Sequence, residues 1–375
     1  MLRMSETAPR PRSLSLDAFR GITIAGMILV NNPGSWSYVY PPLRHAEWHG
    51  WTPTDLIFPF FLFIVGVAIE FAVVGRLERG DTRSNLAKKI VRRSLILILL
   101  GLLLAGFPRF DVSTMRFPGV LQRIGVVYLL TSLIVLNFKM RGQIMGTAGL
   151  LLGYWLIMMV VPVPGLGAGD LSPDGNLAAY VDRLVFGDHI WRDMWDPEGL
   201  LSTIPAVATA MFGVFTGKLL KSGKDGGEIT SWMFVFGWAA IIIGLFWEFV
   251  FPINKNLWTS SYVLFTAGAA LQFLGVCYWL IDVKGHRRWA HPAVVFGRNA
   301  VVVFVLSGLL VKTLIRISME LPDGTTVSAY TWIYRTLFVP WAGPLNGSLA
   351  FAVANILIWY GLLELMYRKK IFVKI

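Results

Sequence analysis

Hydrophobic residues run in blocks of about 20 along most of the chain, the length an α-helix needs to cross the hydrocarbon core of a bilayer. Ten such blocks stand out, at 14–33, 54–75, 90–107, 119–138, 144–162, 201–220, 231–251, 259–281, 293–314 and 347–367. An eleventh stretch, 327–341 (VSAYTWIYRTLFVPW), is aromatic, short and ends near a proline, which predicts a re-entrant or interfacial helix and leaves eleven spans open. The pattern predicts an all-α polytopic membrane protein, one bundle of about ten helices. No internal repeat is visible, which disfavours transporters built from two related halves. The longest connection, 163–200, is rich in Gly, Pro and Asp and is expected to be a folded lid or a wandering loop.

Composition agrees. With 375 residues, length alone would suggest two or three soluble domains, but 55% of the residues are hydrophobic and only 15% charged. A soluble chain carries about 25% charged residues, so this one lacks the polar surface to cover itself. The single cysteine, Cys277, lies in an apolar run and forms no internal disulfide.

The net charge of +12 could suggest nucleic-acid binding, but the basic residues cluster between the apolar blocks, as in membrane proteins. Placing the N-terminus in the cytoplasm puts 22 of the 34 Lys and Arg on that side, against eight on the other. Ten spans with both ends inside satisfy this bias; eleven would put the basic tail outside. The division expected is a cytoplasmic tail at 1–13, a transmembrane domain at 14–367 and a basic cytoplasmic tail at 368–375. The first block carries Asp17 and Arg20 and lacks a small-residue cleavage site, so it is expected to stay as a signal anchor.

Polar motifs gather on the side opposite the basic loops. Asn31 ends the first block and RHAEWHGWTPTD follows it; WDPEG, with Asp196 and Glu198, precedes the sixth block; Asn254, Lys255 and Asn256 lie between the seventh and eighth; Gln122 and Arg123 open the fourth. His45 and His49 are four apart and would share one face of a helix. One of them is a candidate general base near neutral pH; the plainer alternative is an interfacial loop whose histidines bond to backbone. A zinc-protease reading fails because Glu47 stands two residues after His45 rather than next to it, and no metal ligand set is expected. Charges inside a membrane block are costly and usually functional. Asp17 and Arg20 are either such a site or a self-neutralising pair, while Arg123 needs a partner at its own depth, Asp55 or Glu198.

The segments SLDAFRGITIAGMILVNN, RHAEWHGWTPTDLIFPFFLFIVG, PGVLQRIGVVYLL, WDPEGLLSTIPA, NKNLWTSSYVLFTAG and YRKKIFVKI together resemble the heparan-α-glucosaminide N-acetyltransferase family. The resemblance implies a membrane enzyme that moves acetyl from cytosolic acetyl-CoA to an amino sugar on the far side of the bilayer. It places the catalytic histidine on His45 and the active-site asparagine on Asn31. Trp48, His49, Asp55, Asp196, Glu198, Asn254, Lys255, Asn256 and Trp258 become candidates for the sugar. Asp17, Arg20, Gln122 and Arg123 become candidates for acetyl-CoA. His49 falls where the lysosomal enzyme has Asn. The chain is expected to lack that enzyme's large luminal N-terminal domain, so a small amino sugar is the expected acceptor, in a bacterial inner membrane. A homodimer is an allowed assembly. The rival classes are a sugar or proton-coupled transporter, told apart by the absence of acyl transfer, and a scaffold for cell-wall enzymes.

Overall fold

The structure, a computed structural model, describes residues 13–373. Arg3, Arg10, Arg12 and Lys374, counted above in the basic tails, lie outside the described residues. In chain order the helices are α1 Leu14–Asn31, α2 Pro53–Leu77, α3 Arg83–Gly106, α4 Val120–Asn137, α5 Met140–Val160, α6 Leu177–Phe186 and α7 Thr203–Lys221. They continue as α8 Gly226–Glu248, α9 Ser260–Val283, α10 His291–Arg298, α11 Ala300–Arg316 and α12 Ala329–Arg368. A short antiparallel hairpin pairs β1 Ser318–Glu320 with β2 Thr326–Ser328.

Among the described residues, eight helices are long and apolar enough to cross a membrane, or nine if α10 and α11, bent by 78° at Asn299, count as one broken span. The chain is an all-α, multi-pass membrane protein. Nine of the ten expected blocks fall mostly within one helix each, and 293–314 is divided between α10 and α11. Apart from that bent pair, the block at 90–107 is the one that falls short. In α3 its beginning is occupied by Arg92 and Arg93, with Lys88 and Lys89 a turn earlier, so unbroken apolar sequence starts only at Ser94. Residues 327–341 supply β2's end and the first part of α12, which breaks at Gly343 (φ 73°) before continuing to Arg368.

Close helix contacts set the core. A Cβ on Gly66 of α2 would stand 1.8 Å from the Ala210 carbonyl oxygen, and one on Gly213 of α7 would stand 2.0 Å from that of Phe63. The two backbones therefore touch, as small residues allow in membrane bundles. Gly21 of α1 and Gly297 of α10 make the same kind of contact, against the carbonyls of Ala293 and Asp17.

These contacts leave polar residues at two opposite ends of the bundle. At one end lie the loops 32–52, 187–202 and 249–259. At the other, Ser13 and Ser15 donate to Asp282 (3.0 and 2.6 Å), close to Asp17 and Arg298. Helix α9 joins the two ends; its 24 residues span roughly 36 Å at 1.5 Å per residue.

Candidate functional site

The loop after α1 holds the centre of the first end. It is irregular from Arg44 to Thr52, between one tight turn at Pro41–Leu43 and another that opens α2 at Pro53–Leu56. Backbone ties fix it in place. Gly50 N–H donates to Ile253 O (2.7 Å), and Trp48 Nε1–H donates to Leu171 O (2.8 Å). Because the loop is not helical, His45 and His49 share no helical face, and each meets different neighbours.

His45 Nδ1 lies 2.6 Å from Asp55 Oδ1. A carboxylate can only accept, so the proton of this bond is on Nδ1, which in the neutral ring leaves the lone pair on Nε2. Asp55 is itself fixed: its Oδ2 accepts from Ala46 N–H (3.0 Å), Thr52 N–H (3.0 Å) and Thr52 Oγ1 (3.2 Å). Its side chain is 1% exposed, whereas that of His45 is 44% exposed. The pair is thus anchored on its acid side and open on its imidazole side. Lys255, 17% exposed, brings its ammonium 3.6 Å from Asp55 Oδ1, 3.0 Å from His45 Nδ1 and 3.3 Å from Nε2. Burial pushes the Lys255 ammonium below the ordinary lysine range, with Asp55 opposing the shift.

The other expected sugar residues divide. Asn254 lies beside His49 (3.4 Å) but is fully buried, and its Oδ1 accepts from Leu257 N–H (2.9 Å), so it braces the loop that carries Lys255. Asn256 is half-buried in the same loop. Trp48 meets Trp195 edge to face at 5.2 Å. Trp258 is 1% exposed, held in a left-handed backbone conformation (φ 53°), and donates to Thr209 Oγ1 (3.0 Å) between Phe58 and Tyr262. It supports the site from below. Tyr262 in turn donates its hydroxyl to the Asp55 carbonyl.

Asp196 and Glu198 are bound to Arg116, whose Nε donates to Asp196 Oδ2 at 2.7 Å and whose Nη2 bridges both carboxylates. Burial works against this charge, yet the two carboxylates hold the guanidinium above its ordinary pKa. Arg123, 2% exposed, contacts neither carboxylate. Its Nη2 donates to Gly199 O (3.0 Å) and Ser202, and its plane lies 5.2 Å from the Trp258 ring. Gln122 packs beside Gly101 and Gly119. Asn31 is exposed at the last turn of α1, while its neighbour Asn32 is buried and donates to Ile28 O (2.8 Å).

Asp17 and Arg20 sit at the opposite end. Asp17 Oδ1 meets Arg20 (3.2 Å) and its Oδ2 meets Arg298 (3.1 Å), so one buried carboxylate stands between two guanidiniums. The four residues expected to hold acetyl-CoA are therefore split between two ends and form no single pocket. Arg298, Arg116, Asp182 and Tyr262 were not singled out by sequence. Arg298 was the most readable of them, as a charge inside an apolar block with no partner nearby in sequence.

The fold and this arrangement define a class: a polytopic helical membrane protein with an ordered His–Asp pair at one face of its bundle. A family model described as heparan-alpha-glucosaminide N-acetyltransferase, catalytic, matches residues 12–182, which include Asn31, His45 and Asp55. The chain is 33% identical over 362 residues to human heparan-alpha-glucosaminide N-acetyltransferase, covering 81% of this chain and 53% of that protein. The mouse protein of the same name is 31% identical over 350 residues, covering 77% of this chain and 52% of its own length. The chain spans about half the length of these curated relatives. Its similarity to the heparan-α-glucosaminide N-acetyltransferases extends over most of the chain, in agreement with the resemblance of its motifs.

Proposed function

We propose that this protein is a transmembrane N-acetyltransferase that moves acetyl from acetyl-CoA, taken from the cytoplasm, to the amine of a small amino sugar on the opposite face. The observation that carries the reading is the His45–Asp55 pair: a 2.6 Å bond to a buried acid that three further donors hold in place. Acyl transfer to an amine needs a base for the proton the amine loses, and donors where charge develops on the carbonyl oxygen. Asp55 fixes the tautomer that presents Nε2 of His45 as that base. Asn31 is the proposed donor or orienter. Lys255 stands beside the base; His49, Asn256 and Trp48, from the same two loops, and Asp196 and Glu198, from the loop before α7, are the further contacts proposed for the acceptor.

Acetyl-CoA is a substrate here and not a resident group. Arg20 and Arg298, both beside Asp17, are the proposed contacts for the phosphates at that end. From Arg20 to Asn31 is 11 residues, roughly 16 Å of helix, within reach of an extended pantetheine arm. Gln122 and Arg123, at the His45 end, would meet the acetyl end of the donor. The 22-to-8 basic bias supports cytoplasmic termini, with 14–367 as the membrane domain, in a bacterial inner membrane. A homodimer is compatible with the apolar outer faces of α3 and α8.

The test is direct. Purified protein, radiolabelled acetyl-CoA and glucosamine should yield N-acetylglucosamine and free CoA. A panel of amino sugars that all stay unlabelled, with well-folded protein, would sink the reading.

A further inference from the structure

One cation in the site stands where an acceptor amine should stand. Lys255 Nζ is 3.3 Å from His45 Nε2, the nitrogen left free to act as base, and 3.6 Å from the buried carboxylate of Asp55. A bound amino sugar would offer the same atom type, a primary ammonium, to the same two groups. Lys255 is no flexible surface lysine swinging past. Its loop is pinned by Asn254 Oδ1 accepting from Leu257 N–H (2.9 Å), by Trp258 N–H donating to Lys255 O (3.1 Å) and by Gly50 N–H donating to Ile253 O (2.7 Å). Its side chain is largely covered while His45 stays open, so acetyl delivered to His45 arrives beside a nitrogen already in place.

We propose that Lys255 is an internal acetyl acceptor: with acetyl-CoA present and no amino sugar bound, the enzyme acetylates its own Lys255 Nζ. The inference rests on the acetyl-transfer reading of the His45 site. The chemistry balances without another reagent. The ammonium loses one proton to His45 Nε2, from which it passes to solvent. The neutral amine then attacks the thioester carbon; the C–N bond forms, the C–S bond breaks, and the second amine proton ends on the departing sulfur. The products are Nε-acetyl-lysine and CoA thiol. Burial supports the step, because it makes the neutral amine more accessible here than on a free lysine. Acetylation removes the cation beside His45 and Asp55 and adds an amide in its place. The modified chain therefore carries a plugged acceptor position, and substrate supply governs how much of the enzyme is in that state.

The experiment uses the full chain in detergent with acetyl-CoA and three samples: no acceptor, excess glucosamine, and the His45→Ala variant without acceptor. Intact-protein and peptide mass spectrometry locate added acetyl. Acetyl on Lys255 is expected in the first sample and should be suppressed by glucosamine. In His45→Ala its rate should fall about 10²–10⁴-fold, the usual cost of losing a general base. Lys255→Arg, which keeps the charge but removes the acylatable amine, should abolish the added mass. If glucosamine is acetylated while Lys255 stays unmodified without acceptor, the proposal is wrong and the function stands. If neither amine is acetylated, both are wrong. Acetyl appearing on Lys255 at the same rate in His45→Ala is spontaneous chemistry and also overturns the proposal.

Discussion

At the scale of single residues, His45 and His49 separate cleanly. His45→Ala removes the open imidazole and, with His45 as the proposed base, is expected to lower the rate by about 10²–10⁴, or roughly 3–5 kcal/mol of transition-state stabilisation. His49→Asn should retain most of the activity, because His49 touches Asn254 and not the Asp55–Lys255 pair. Initial rates of both variants, with matched size-exclusion profiles, check this; a dead His49→Asn beside a live His45→Ala would reverse the assignment. Asp55→Asn is expected to behave like His45→Ala in kcat, with a smaller change in KM. An amide cannot accept from Ala46, Thr52 and His45 together, so the imidazole loses its fixed tautomer. An unchanged kcat would show that Asp55 only holds the loop. The histidine was legible from its motif. Its acid was legible only as a nearby charge, since the link between them depends on a loop that no helical periodicity describes. Arg298 was missed as Asp17's partner for the same reason in stronger form, because 281 residues separate them and only the α1–α10 contact joins them.

Among the elements, α6 is the one whose presence the sequence concealed. Gly, Pro and Asp dominate 163–200, yet Asn176 caps a helix there by accepting from Ala179 N–H (2.8 Å). The ten apolar blocks were readable because each exceeds four turns; a ten-residue amphipathic helix inside a polar loop gives no comparable signal. Helix α6 buries Asp182, 1% exposed, against Leu200 N–H (2.7 Å), and burial raises its pKa to about 7. In the unfolded chain the same carboxyl titrates near 3.8. Between these values the folded state holds the extra proton, so Asp182 contributes stability that is full below about pH 4 and is lost as pH rises to about 7. A shift of this size corresponds to a few kcal/mol, on the order of 1.4 per unit. Asp182→Asn should flatten this part of the curve. Melting midpoints from pH 4 to pH 8 for both proteins measure it, and parallel curves would show that the carboxyl is ionised throughout.

For the whole molecule, the decisive expectation is sidedness. A reporter fused to the C-terminus should be active only in the cytoplasm, and one inserted in 163–170, between α5 and α6, only outside. A C-terminal reporter active outside would mean that α10–α11 or α3 fails to cross, or that the two parts of α12 cross separately. Hydropathy made the bundle legible and left a gap around Gly343, between the stretches 327–341 and 347–367, but could not show the 78° break at Asn299, which lies inside the expected block 293–314.

The separation of the two polar ends along α1 and α9 has an energetic corollary. Between Arg20 and Asn31 helix α1 offers no titratable side chain, and neither does α9 between Tyr262 and Cys277. Neither helix provides a proton wire from one face to the other. In the proposed reaction the acceptor ammonium gives up two protons at the His45 end: one passes to the outer solution and the other leaves on the departing sulfur. The thiol carries that proton back with the threaded arm, so an acetyl group moves outward in exchange for one proton moving inward, and the charge on each side is unchanged. The enzyme would acidify the outer compartment, yet turnover in sealed vesicles should be indifferent to an imposed membrane potential. A rate that follows the voltage would show that the thiolate takes its proton from the inner solution instead.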